Sequence, residues 1–434
     1  MDRTVPTASA SSSAASTLRF ATALPCALLI GGLLAFSALV DPLVNFGYAR
    51  AQTFGGIELD GQSKTRLAGL IIPCFALVAM VAACLAPPRF PARLMRVAAP
   101  ALLFLAMALA SAAWSRGAGV TFEFAIYQIV LFGSLVVFVT VGGSPKRILD
   151  VVLALFAVVV LVNGGAVALR EASDIGHTGI YQFKNSLGAA AGCAFLVGLF
   201  AMFEGGWLRR SVALFTTLGA LLVAWQSESK TALALMLLAP SIAVAIWLAV
   251  RVLRIGAGVA FLLFAAIGSA ALLLAVTVAA SDSDGVLGAL FGDVTFTGRT
   301  DIWGFALDYA WQSPLLGNGY RGFWALGLAS PKHGSEIEFI RTIGSGHSGF
   351  VDTFLDLGLV GLLLLLGFIV AAFRMAGRFE LRPASRSLFY VSVLLFVAGR
   401  NVMESVILWS STFDNLLFLL VALLCAYREP QPAR

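Results

Sequence analysis

Three side chains in the second half of this sequence have the type and setting for transfer chemistry on an anionic substrate. His347 is one of only 3 histidines and lies in Gly344-Ser345-Gly346-His347-Ser348-Gly349-Phe350. Such small neighbours leave room for a substrate to reach the ring, and an imidazole can take the proton of an attacking hydroxyl. The plain alternative is a helix-terminal histidine satisfied by backbone groups, which is also how His177 and His333 read. Arg299, in Thr297-Gly298-Arg299-Thr300-Asp301-Ile302-Trp303, carries the planar fork that grips phosphate oxygens at two points. It also suits an interfacial anchor whose charge reaches the headgroups. Lys230, in Gln226-Ser227-Glu228-Ser229-Lys230-Thr231, adds a point charge that can serve a ligand, pair with Glu228 or cap a span.

Further charges fall near the ends of apolar segments, where they are costly to hold and so are candidates for function. They are Arg170, Lys184, Arg321, Arg341 and Arg400, with the acids Asp352 and Asp356. Several cations converging on one cavity suit an anion such as a diphosphate. Lys184, Lys230, Arg321 and Arg341 are therefore expected to bind substrate, with Asp352 beside them. Asp352 and Asp356 share a helix face, where they can orient the cations or simply answer the helix dipole. No acidic or histidine-rich cluster has metal-ligand spacing, so no metal or cofactor is expected and cationic side chains would neutralise the diphosphate.

The elements that must position these residues are membrane helices. Of the 434 residues 59% are hydrophobic and 12% charged, against about 25% charged in a soluble domain. Segments of about 20 apolar residues recur at approximately 19–40, 67–87, 97–114, 122–141, 148–167, 186–203, 212–225, 231–250, 256–280, 348–373, 387–408 and 415–427. The expected fold is thus an all-α polytopic transmembrane bundle of about twelve spans. Residues 1–18 read as a disordered cytoplasmic tail, 19–280 as spans one to nine, 281–346 as a large periplasmic loop, 347–427 as spans ten to twelve and 428–434 as a second tail. Of the 29 Lys and Arg residues, 17 fall in the shorter set of connections, which puts both termini in the cytoplasm and the loop outside. The net charge of +6 is then a topology signal, and nucleic-acid binding is not implied. Five cysteines all lie in apolar segments, and no disulfide is expected. In the loop, residues 299–312 place Ile302, Phe305, Ala306 and Tyr309 at helical spacing, as in a helix on the membrane surface. Pro314 ends that helix and Gly317-Asn318-Gly319 makes a turn.

Taken in order, the motifs resemble the O-antigen ligase and O-antigen/exopolysaccharide polymerase family of bacterial inner-membrane glycosyltransferases. The resemblance rests on Ala113-Trp114-Ser115, Gln182-Phe183-Lys184-Asn185-Ser186-Leu187-Gly188, Ser227-Glu228-Ser229-Lys230-Thr231, Gly298-Arg299-Thr300-Asp301-Ile302-Trp303, Pro314-Leu315-Leu316-Gly317-Asn318-Gly319 and Gly346-His347-Ser348-Gly349-Phe350 before Leu357-Gly358-Leu359-Val360-Gly361-Leu362. It implies a fold of the lipid-dependent glycosyltransferase type and a donor glycan on undecaprenyl diphosphate at the periplasmic face. The acceptor is a lipid-linked repeat unit in a polymerase or lipid A-core in a ligase. Membrane lipid surrounds the enzyme, and polysaccharide chain-length or export proteins are implied partners. Arg299 would hold the diphosphate, Lys230 would stand where the family usually has arginine, and His347 would activate the acceptor. The Gly-His-x-Gly-Phe and Phe-Lys-Asn elements lean to the exopolysaccharide branch. A transporter or lipid-glycan flippase would explain the spans but not the long loop with Arg299 and His347.

Overall fold

A computed structural model describes residues 24–40, 74–84, 90–142, 144–170, 176–261, 263 and 298–427. Both tails, the expected ninth span beyond residue 263 and loop residues 281–297 lie outside them. The helices are α1 Leu24–Leu39, α2 Cys74–Cys84, α3 Ala92–Ala110, α4 Ala118–Gly142, α5 Pro145–Ala168, α6 Lys184–Ala201, α7 Trp207–Ser227, α8 Lys230–Val252, α9 Arg299–Ala310, α10 Glu338–Thr342, α11 Gly349–Ala376, α12 Ala384–Met403 and α13 Phe413–Leu424. There is no β-strand among the described residues. Eight helices, α3 to α8 with α11 and α12, are long and apolar enough to cross a membrane, and α1, α2 and α13 are shorter apolar helices. The protein is an all-α, multi-pass membrane protein. No disulfide joins the described cysteines.

The chain forms two compact units. In the first, Met1–Leu94 with Val130–Ser229, α6 packs on α7 and both pack on α5. A run of small residues in α6, Gly188 to Gly192, is buried; small side chains let helices approach closely where lipid offers no hydrophobic driving force. At one end of this unit Asn163 receives the Ile180 N–H at 3.2 Å, Arg170 donates to the Gly179 carbonyl at 2.9 Å and the His177 N–H donates to the Gln226 carbonyl at 3.0 Å. At the other, Arg209 pairs with Asp150 at 2.7 Å.

The second unit, Met95–Ile129 with Lys230–Arg434, holds α8 against α12, α9 against α11, and α12 against α11 and α13. The apolar run at 348–373 is not one regular helix, as the sequence led us to expect. Gly358 has φ 63° and ψ −162°, which breaks α11. A break orphans carbonyls on one side and N–H groups on the other, and in a membrane these must find partners. The segment Pro314–Gly319 supplies both. Asn318 and Gly319 donate to the Leu355 and Asp356 carbonyls at 3.0 and 2.8 Å, while Leu359 and Val360 donate to the Pro314 and Leu315 carbonyls at 2.8 and 3.3 Å. The backbones are so close that a Cβ on Gly358 would lie 2.3 Å from the Leu315 carbonyl carbon, and one on Gly317 would lie 2.4 Å from that of Asp356. The expected turn is therefore a strap that completes a discontinuous helix.

The Trp114-Ser115 motif braces this strap from outside. The Trp114 indole donates to the Leu316 carbonyl at 3.2 Å, and Ser115 accepts from Thr121 and the Gly117 N–H. Helix α9 forms as its spacing suggested, but its apolar face meets protein: Ile302, Ala306 and Ala310 are buried. Phe305 and Tyr309 join Phe323 and Trp324 in a cluster with ring centroids 5.0–6.2 Å apart, where aromatic pairs add to simple burial.

Candidate active site

His347 sits on the last turn of chain before α11. Its φ is 49°, a left-handed conformation that costs a non-glycine residue about 1–3 kcal/mol and persists only where the surroundings impose it. They do so on both sides. Before it, the Gly346 carbonyl accepts from the Trp303 indole of α9 at 3.0 Å. After it, the Ser348 carbonyl accepts from the Asp352 N–H at 2.8 Å and closes the first turn of α11. The imidazole is thereby turned out of the helix, with its side chain 37% exposed.

Its partner is Glu404, which follows α12 and was not singled out in the sequence. Glu404 Oε2 lies 3.2 Å from His347 Nδ1, and Oε1 accepts from Arg299 Nη2 at 3.0 Å. One carboxylate therefore holds the candidate base and the candidate phosphate-binding cation. Burial pushes the Glu404 pKa up, but the hydrogen bond with His347 and the positive charges of Arg400, His347 and Arg299 outweigh it, leaving the group below its ordinary value of 4.5. An ionised carboxylate only accepts, so the Nδ1 facing it carries the proton. Nε2 is then the basic nitrogen, the tautomer a general base needs. The backbone of Glu404 is fixed as well: its N–H donates to the Arg400 carbonyl at 2.8 Å and its carbonyl accepts from Gly349 at 3.2 Å. Arg400 is in turn held by Asp414 at 3.1 Å.

The remaining expected substrate contacts divide. Lys230 starts α8 and is exposed. Leu235 of the same helix lies against Gly399 of α12. Arg341 is exposed and donates through Nε to the Ser335 carbonyl at 2.8 Å, while Lys332 donates to the Ile343 carbonyl at 2.7 Å, so both brace the loop around α10. Arg321, expected on the substrate, is instead stacked between the rings of Phe124 and Trp409, 3.7 and 4.2 Å from their centroids, and donates to the Trp409 carbonyl at 3.2 Å. Burial lowers its pKa, opposed by Tyr320, Asp356 and Asp352. Asp352, also expected on the substrate, is completely buried and its oxygens are occupied by protein donors. Lys184 belongs to the first unit, where it opens α6 beside Asn185, the acceptor of a hydrogen bond from Ser229.

Residues 215–366 match a family model described as O-Antigen ligase. In that stretch the chain is similar to the O-antigen ligase family. It also has 36% identity over 121 residues to the exopolysaccharide production protein ExoQ of Rhizobium meliloti (strain 1021), a stretch covering 26% of this chain and 28% of that relative. The chain thus spans under a third of the curated relative it matches. The matched stretch contains Lys230, Arg299, Arg321, Arg341, His347 and Asp352 but stops short of Glu404. No cluster of three or more histidine, cysteine or acidic side chains suited to a metal occurs among the described residues.

Proposed function

We propose that the protein is a glycosyltransferase of the polysaccharide-polymerase type, working at the periplasmic face of the bacterial inner membrane. It transfers a glycan from undecaprenyl diphosphate to a sugar hydroxyl of a lipid-linked repeat unit. The observation that carries this reading is the bridge Arg299–Glu404–His347, in which one carboxylate joins an anion-binding fork to an oriented imidazole. In the reaction His347 Nε2 removes the proton of the acceptor hydroxyl as its oxygen bonds to the anomeric carbon. The bond from that carbon to the diphosphate oxygen breaks, and Arg299, with Lys230, meets the charge that gathers on the leaving group. Glu404 keeps the imidazole in the useful tautomer and stabilises the imidazolium formed. Likeness to an exopolysaccharide production protein supports the polymerase branch.

A second reading, transfer of the glycan to lipid A-core, is favoured by the description of the matching family model. The purified protein in lipid vesicles, given lipid-linked repeat units alone, distinguishes the two. Polymer of increasing length is expected without any lipid A-core. Transfer only after lipid A-core is added would make the protein a ligase. Unchanged donor with either acceptor would remove the transferase reading.

A further inference from the structure

Asp352 lies one turn into α11, has no exposed surface and takes no direct part in the bridge described above. A buried carboxylate is costly unless donors surround it, and the donors that surround this one come from three separate segments. The Trp324 indole donates to Oδ1 at 2.7 Å. The Gly346 N–H reaches both oxygens, at 2.9 and 3.0 Å. The Ser405 hydroxyl donates to Oδ2. The last two are the sequence neighbours of the working pair: Gly346 immediately precedes His347, and Ser405 immediately follows Glu404. At Gly346 even a Cβ would approach Oδ1 to 2.8 Å, so the turn is pressed onto the carboxylate without slack.

We infer that Asp352 is the positioning residue that sets His347 against Glu404, by binding the backbone before the histidine and the side chain after the glutamate. The contact it maintains, 3.2 Å from Nδ1 to Oε2, is at the long end of the hydrogen-bond range. A small separation of the two segments would end it. Helix α11 supplies the rigidity: its first turn places Asp352 directly behind the left-handed His347, and Trp324 holds the carboxylate from the aromatic cluster. The same carboxylate thus converts a strained turn on one segment and a helix end on another into a single geometry. Asp352 touches neither substrate nor reacting atoms.

This inference rests on His347 acting as the base, and the test separates the two claims. Charged groups around the imidazole are Glu404 after α12, Arg299 from α9 and Asp352 from α11, with Arg400 of α12 acting on Glu404. In vesicles with lipid-linked donor, Asp352→Asn should lower kcat about 100-fold, the order expected for a 1 Å misplacement, with KM for the donor unchanged. Ser405→Ala removes one clamp while keeping every charge and should cost about tenfold, one hydrogen bond. In both variants the loss should fall on kcat with KM for the donor at its parent value, because a displaced imidazole spoils proton removal and leaves the diphosphate contacts intact. A kcat that falls in Asp352→Asn but not in Ser405→Ala would reduce Asp352 to a charge effect and overturn the inference. So would full activity in Asp352→Asn, or activity losses in both variants that come from a raised KM for the donor with kcat unchanged. If His347→Ala and Glu404→Gln retain the transfer rate, it is the base assignment that fails.

Discussion

At the scale of single residues, the working groups differ in how visible they are. His347 and Arg299 stand out because each sits in a short run whose other members are small or specific. Removing the base by His347→Ala should lower turnover about 10²–10⁴-fold while donor binding persists, measurable as retention of labelled lipid-linked glycan. His347→Gln should do no better, since an amide cannot accept the proton. Arg299→Lys should recover little of the activity lost in Arg299→Ala, because a point charge does not reproduce the fork; polymer length at matched expression reads this. Glu404 was hidden by distance, 57 residues from His347 and 105 from Arg299. A signal for it did exist, since an acid inside the apparent apolar stretch 387–408 is itself unusual. Its depressed pKa also has a consequence for stability. A carboxylate whose folded pKa lies below 4.5 contributes stability fully above that pH and loses it as pH falls through the lower folded value. Thermal unfolding followed from pH 6 down to 3 should therefore show a smaller acid-induced drop for Glu404→Gln than for the parent protein.

At the scale of elements, helices were legible wherever an apolar run was long, and α9 was legible from spacing alone. The break in α11 was not. Leu357-Gly358-Leu359-Val360-Gly361 reads equally well as small-residue packing within a continuous helix, and only the strap, some forty residues earlier, decides otherwise. The strap itself was visible as a turn, yet what it serves depends on the distant helix it completes. Gly358→Ala and Gly317→Ala should both lower the melting temperature and the activity together. Each puts a Cβ on a left-handed residue and into another segment's backbone, costing at least the 1–3 kcal/mol of such strain. Gly304→Ala, exposed on α9 with nothing within 4 Å of the new atom, should be neutral or stabilise the helix by about 0.5–1 kcal/mol. If Gly358→Ala melts like the parent in differential scanning fluorimetry, the close approach is not a constraint in the working protein.

At the scale of the whole molecule, composition alone marks a multi-pass membrane protein, and the Lys and Arg bias predicts a side. Residues 298–346 are expected outside the cytoplasm. A cysteine at Leu328, 92% exposed, in a chain whose five cysteines are replaced by serine or alanine, should react with an impermeant maleimide applied to the periplasm. Reaction only after the inner membrane is opened would reverse the orientation. What composition could not convey is that the motifs mostly serve assembly: Trp114-Ser115 and Pro314–Gly319 hold a helix together, while Arg299 and His347 wait for a carboxylate from far along the chain. That spacing has a meaning in time. At about 5–20 residues per second, Glu404 leaves the ribosome about 5–20 s after Arg299, so a nascent chain carries both of its partners well before the group that joins them exists. Assembly of the site is therefore among the late events of biogenesis, and a ribosome-stalled chain lacking Glu404 carries inserted helices but no competent centre. Synthesis itself delays the chemistry until α12 has been delivered to the membrane.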